Sequence, residues 1–251
     1  MVTPELMTPL SWRAIDFISD LHLQTSEPAT FNVWQHYMQT TPASAVFILG
    51  DLFEVWVGDD VLQERGFELQ CAQVIKQTAA RAPTFFMHGN RDFLVGNDLM
   101  TVCNTTLLAD PTVLSFNHQR WLLSHGDALC LDDVDYMQFR QQVRSADWQQ
   151  IFLAKTLAER QAIARDLRKQ SEARKSSGAN HADVDESTAR QWLQQAESAT
   201  LIHGHTHKPA MHDLGDGLQR VVLSDWDAAA TPPRAEVLRL SAQGLERIRL
   251  L

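Results

Sequence analysis

The sequence predicts an α/β fold with mixed β-sheets between helices and a helical insertion, on three observations. The apolar runs AIDFIS, ASAVFIL, TFFM, RWLLS and TLIH each end in a short polar motif. Amphipathic stretches separate the early runs, as in βαβ units. Between Asp133 and Gln195 strand signal almost vanishes, and Ala, Gln, Leu, Arg and Glu, all good helix formers, dominate.

Taken in order, strands and helices alternate from Trp12 to about Leu131, with helices expected over Phe31–Met38 and Gly66–Ala80. Thr112–Phe116 and Arg120–Leu123 flank Asn117-His118-Gln119 and read as a hairpin, which makes the sheet mixed. The run from Ser176 to Asn180 breaks the helical block, and Asp185 or Ser187 suits the cap of the next helix. Strand character returns at Thr200–His203, Arg220–Leu223, Ala235–Leu240 and Leu245–Leu250. The reading is one domain over residues 1–251, with a helical cap inserted near 134–190.

Composition narrows the function classes. A chain of 251 residues with 44% hydrophobic and 21% charged residues is ordinary for a soluble globular protein. Cys71, Cys103 and Cys130 are widely spaced without a CxxC, which fits neither a disulfide framework nor a thiolate metal site and suits a reducing compartment. MVTPELMTPL lacks a basic start and a long apolar run, so secretion is not expected, and no stretch is apolar enough to span a bilayer. A net charge of −9 argues against nucleic acid as a partner. One stretch runs the other way: between Lys155 and Lys175 lie seven basic residues (Lys155, Arg160, Arg165, Arg168, Lys169, Arg174 and Lys175) against three acidic ones. Ile151, Leu157, Ile163 and Leu167 line an approximate helical face beside them. Such basic amphipathic segments suit anionic lipid surfaces, and equally a solvated helix packed on a core.

The motifs carry the chemistry. They are Asp20-Leu21-His22, Gly50-Asp51, Gly89-Asn90-Arg91-Asp92, His125-Gly126 and Gly204-His205-Thr206-His207. Strand ends in an α/β sheet share one edge, so these residues are expected to converge there. Two Asp, four His and one Asn supply enough oxygen and nitrogen ligands for two divalent metals sharing a carboxylate. The implied reaction class is metal-assisted hydrolysis of a phosphate ester or anhydride. Trp56 and the cysteines read as packing residues, His36, His118, His181 and His212 as surface or structural ones, and His203 as a neighbour of the site.

The motif order resembles the calcineurin-like metallophosphoesterases. FISDLHL, ILGDLFEVWVGDD, FMHGNRDFLVG, SHGDALCLDD and LIHGHTHKPAMH more narrowly resemble the bacterial UDP-2,3-diacylglucosamine diphosphatases of lipid A biosynthesis. The resemblance implies a metallophosphoesterase fold in which Asp20, His22 and His207 hold one metal, Asn90, His125 and His205 the second, and Asp51 bridges them. The metal it implies is Mn2+. Activated water would attack the α-phosphorus of the nucleotide-linked lipid, giving lipid X and UMP. The catalytic set it implies is Asn90, Arg91, His125 and His205; the substrate contacts it implies match at Asn90, Arg91, Asp133, Ser171 and His205, while Lys175, also assigned to the substrate, and Gly178 stand where the family can show Asn and Lys. Many superfamily members carry His where this chain has Arg91. A guanidinium clamps phosphate oxygens but gives up no proton, which suits a phosphate leaving group. A lipid substrate implies peripheral association with the cytoplasmic face of the inner membrane. Alternatives are another dimetal phosphoesterase, acting on dinucleoside polyphosphates or phosphoproteins, and a non-catalytic scaffold.

Overall fold

The computed structural model describes residues 3–176 and 183–251. The first part runs β1 (Glu5–Met7), β2 (Ala14–Ile18), α1 (Pro28–Thr40), β3 (Ala45–Leu49), α2 (Phe67–Ala79), β4 (Thr84–Met87), α3 (Asn97–Cys103), β5 (Thr106–Leu108), β6 (Thr112–Phe116) and β7 (Gln119–Leu123). Four helices follow: α4 (Val134–Val143), α5 (Ala146–Leu153), α6 (Leu157–Ser176) and α7 (Glu186–Gln195). The chain closes with β8 (Thr200–His203), β9 (Ala210–Gly215), β10 (Leu218–Val222), β11 (Glu236–Ser241) and β12 (Gly244–Arg249).

The strands form two mixed sheets. One has the order β12-β11-β2-β3-β4-β5, with β2 to β5 parallel. The other has the order β1-β6-β7-β8-β10-β9, with the expected β6–β7 hairpin and β8 parallel to β7 and β10. The motif-bearing strands therefore do not share a single sheet edge. Three belong to the first sheet and two to the second.

Period-two alternation sends Phe17, Phe47 and Phe85 inward, against Leu114, Trp121 and Ile202 of the second sheet. Ile18, Val46, Ile48 and Phe86 face outward onto Trp34 and Met38 of α1, Val74 and Ile75 of α2, and Leu99 of α3. On the far side, Val113, Leu122 and Leu201 receive Ala189 and Leu193 of α7. The result is four layers, helix, sheet, sheet and helix. Strands buried on both faces read as continuous apolar runs, which is why β2, β3 and β4 stand out in the sequence.

Asp16 interrupts one of those runs. It is fully buried and accepts from Arg239 Nε at 2.7 Å and Nη2 at 2.9 Å, from the Tyr37 hydroxyl at 2.9 Å and from the Thr41 hydroxyl at 2.7 Å. This carboxylate joins β2 to α1 and β11. Asp16→Asn keeps the shape and removes the charge, and is expected to cost about 1.5–3 kcal/mol. A lower urea midpoint at unchanged m is the readout, and an unchanged midpoint refutes the assignment.

The four apolar residues expected on one helical face fall on two helices, Ile151 on α5 and Leu157, Ile163 and Leu167 on α6. Thr156 and Glu159 form a capping box, the carboxylate accepting from Thr156 N–H at 2.8 Å and the hydroxyl from Glu159 N–H at 3.3 Å. The box starts a new helix at Leu157. Ile151 is thus left 66% exposed on α5, whereas Leu157 and Ile163 pack against the core under α1 to α3. Arg160 is buried and bonds the Val57 carbonyl and the Asp60 carboxylate, so it pins α6 to the body instead of adding to a basic surface.

Candidate metal centre

The motifs meet at one end of the two-sheet sandwich. Asp20 and His22 follow β2, Asp51 follows β3, Asn90 and Arg91 follow β4, His125 follows β7, and His205 and His207 follow β8. The loops approach closely. A Cβ on Gly50 (φ 87°) would lie 2.5 Å from His125 Nδ1 and 2.6 Å from the Gly89 Cα, so only glycine fits. Asp20, His22, Asp51, His205 and His207 all have φ between 50° and 67°, where side-chain-bearing residues rarely sit. Such strain persists where the surroundings over-determine it, and it gathers at functional sites. Here the surroundings are cross-bonds between loops. Leu21 and His22 N–H donate to the Asp51 carbonyl at 2.9 and 3.1 Å, and His205 N–H donates to both Asp20 oxygens at 3.1 and 3.0 Å.

The side chains form two groups with Asp51 between them. His22 Nε2 and His207 Nε2 are 3.3 Å apart, and His207 Nε2 is 3.3 Å from Asp20 Oδ1. On the other side Asn90 Oδ1 lies 2.8 Å from His205 Nδ1 and 3.0 Å from His125 Nε2. Asp51 Oδ2 is 3.9 Å from His22 Nε2 and 3.8 Å from His125 Nε2. Asp20, His22 and His207 bring ligand atoms within 4.8 Å of one another, as do Asp20, Asp51 and His125.

The electrostatics call for positive charge. His125 Nδ1–H donates to the Leu49 carbonyl at 2.9 Å, which turns Nε2 toward Asn90 and Asp51. Burial opposes charge on this ring, but Asp51, Asp20 and Asp127 outweigh it and hold its pKa up at about 9. Burial likewise opposes charge on Asp20, yet the bond from His207 and the nearby histidines hold its carboxyl well below the usual range. Burial, helped by His125, pushes His205 down to about 3. Among the described residues the ion-pair partners of Asp20 and Asp51 are histidines. A dication displaces protons from such rings. Two carboxylates, four imidazoles and an amide oxygen fit divalent cations that accept mixed O/N ligation.

The remaining expected site residues fall variously. Arg91 N–H donates to Asp51 Oδ1 at 2.8 Å, and its guanidinium lies 3.3 Å from Glu54. Asp133 caps α4, accepting from Tyr136 N–H at 3.1 Å. Ser171, Lys175 and His181 belong to the stretch 170–182, whose side chains lie outside the described residues. Trp56 is buried and donates to Asp59 at 2.9 Å, and burial pushes the Cys103 and Cys130 thiols up to about 12. His203 lies under the site, where burial pushes it down to about 4.

Sequence reasoning gave no role to Asp92, Glu54, Asp127 or Tyr136. Buried Asp92 accepts from Gly89 and Leu52 N–H, both at 2.8 Å, and from Asp51 N–H at 3.2 Å, tying the β3 and β4 loops together. Its place three residues after Gly89 is the signal that could have found it, since short acidic side chains bond nearby backbone in turns.

The family model for calcineurin-like phosphoesterases matches residues 14–209. The UDP-2,3-diacylglucosamine hydrolase of Chromobacterium violaceum is 46% identical over 85% of this chain and 90% of its own length. Those of Cellvibrio japonicus and Bordetella pertussis are 42% and 40% identical, over 86% and 91% of this chain and 95% and 92% of their own. The family match spans every donor from Asp20 to His207, and the chain belongs to the calcineurin-like phosphoesterase family.

Proposed function

We propose that the protein hydrolyses the pyrophosphate bond of UDP-2,3-diacylglucosamine, the substrate its relatives are named for, giving 2,3-diacylglucosamine 1-phosphate (lipid X) and UMP in lipid A biosynthesis. The observation that carries this reading is Asp51 standing between two donor groups with Arg91 beside it. Asp20, His22 and His207 would hold one cation, Asn90, His125 and His205 the other, with Asp51 shared. Divalent ions held there, Mn2+ being one that accepts such mixed O/N donors, would lower the pKa of a water and neutralise phosphoryl charge.

The chain's own residues do the rest. The Arg91 fork clamps phosphate oxygens, and the leaving phosphate, a weak base, needs no proton from it. Helices α4 to α6 form the cap, with Asp133 at the start of α4 and Ser171 and Lys175 on α6. Val134 and Ile151, 59% and 66% exposed, give the cap apolar points suited to a lipid surface. Among the described residues no helix is long and apolar enough to cross a membrane. In this reading a lipid substrate places the protein peripherally at the cytoplasmic face of the inner membrane.

Turnover in 18O-water with Mn2+ restored after chelation tests the reaction. Label is expected in UMP, reporting attack at the α-phosphorus. Label in lipid X overturns that mechanism, and turnover of dinucleoside polyphosphates alone overturns the substrate.

A further inference from the structure

Glu54 joins three chain segments that the reaction needs together. Its Oε2 lies 3.1 Å from His22 Nδ1, while Oε1 lies 3.3 Å from Arg91 Nη1 and 3.1 Å from Arg168 Nε. His22 follows β2, Arg91 follows β4, and Arg168 lies on α6. Glu54 is buried, 7% exposed as a residue, and its backbone is fixed by the Glu54 N–H bond to the Leu23 carbonyl at 3.1 Å. His22 and Glu54 thus sit on paired segments joined by a Leu23–Phe53 bridge.

We propose that Glu54 is a positioning residue for both halves of the site, orienting His22 toward its cation and holding Arg91 and Arg168 as a pair. The ring nitrogens of His22 have separate tasks. Nε2 faces His207 and Asp51, whereas Nδ1 is buried and faces Glu54, meeting it off-axis in this geometry. A carboxylate at Nδ1 keeps the proton there, leaves the Nε2 lone pair for a metal and raises its basicity. The same carboxylate gathers two guanidiniums near the donors. An ordinary surface ion pair accounts for neither the third partner nor the burial. Two converged guanidiniums match the oxygens of a diphosphate better than one. The proposal rests on the two-cation diphosphatase reading, and its test separates the two.

The test uses the full-length protein stripped of metal, with Glu54→Gln as the main variant because it preserves shape. Calorimetric titration with Mn2+ is expected to show two sites in the parent protein. In Glu54→Gln one of them should weaken by about 10–100-fold while the other is unchanged. At saturating Mn2+, kcat should recover and KM for the UDP-lipid should stay raised. Equal Mn2+ affinities in parent and variant overturn the role at His22. An unchanged KM overturns the role at the arginines. A parent protein that binds no Mn2+ overturns the two-cation reading itself. Should Glu54→Gln fail to fold, Glu54→Asp supplies the same titration with a shortened reach and the same two outcomes.

Discussion

Asp51→Asn is expected to fold normally, to lose one or both cations and to turn over at least about a thousandfold more slowly, the several kcal/mol that metal charge supplies to a phosphoryl transition state. The reason lies in where its two oxygens point. Oδ1 accepts the Arg91 N–H at 2.8 Å, a structural task that an asparagine oxygen retains. Oδ2 stands 3.9 and 3.8 Å from His22 and His125, and an amide nitrogen there repels cations. Metal-free stability should change little, because the Asp51 charge repels Asp92 while it attracts His125. Burial and then the Asp51 charge push Asp92 up to about 7, so neutralising Asp51 relieves a buried like-charge pair. Urea unfolding of the metal-free proteins, bound Mn2+ per chain and initial rate together decide the matter. A variant that keeps two Mn2+ and the parental rate refutes the bridging role.

Much of this was legible in the sequence, for identifiable reasons. β2, β3 and β4 are buried on both faces and so appear as unbroken apolar runs, and each ends in a polar motif because the chain leaves the core there. Which strands fall in which sheet was not legible, since an apolar run does not say which strand it pairs with. β1 and β5 are three residues long, and β9 is an edge strand with alternating exposure, so none produced a signal. The break between α5 and α6 was written in Thr156-Leu157-Ala158-Glu159, yet helix periodicity alone ran through it. The left-handed backbone at five ligands has no composition signature. It arises from cross-loop bonds, and those join residues far apart in sequence. Glu54 and Asp127 were invisible for the same reason, because their partners come from other segments of the chain.

Asp127 is the place where a second large effect is expected, on stability and activity together. It is fully buried and accepts from the Tyr136 hydroxyl at 2.7 Å, from Arg140 Nε at 2.8 Å and from Arg144 Nη2 at 3.3 Å. Arg144 Nη2 also donates to the Gly89 carbonyl at 2.8 Å, at the turn that presents Asn90. Burial opposes the Asp127 charge, but His125, Arg144 and Arg140 outweigh it and hold the carboxyl well below the usual range. One carboxylate therefore binds α4 to two strand ends, and Tyr136 from that helix lies 5.8 Å from the His205 ring. Asp127→Ala leaves two guanidiniums without this partner and is expected to cost about 3–5 kcal/mol in urea unfolding. In an Arg140→Ala background the same substitution should cost less, because one stranded charge is already gone. Activity should fall about a hundredfold even where the variant is folded, since loosening α4 and the β4 turn displaces groups that must be held to within about 1 Å. A parental unfolding midpoint in Asp127→Ala would show that the cap is held elsewhere. A parental rate in the folded variant would show that its attachment does not order the site.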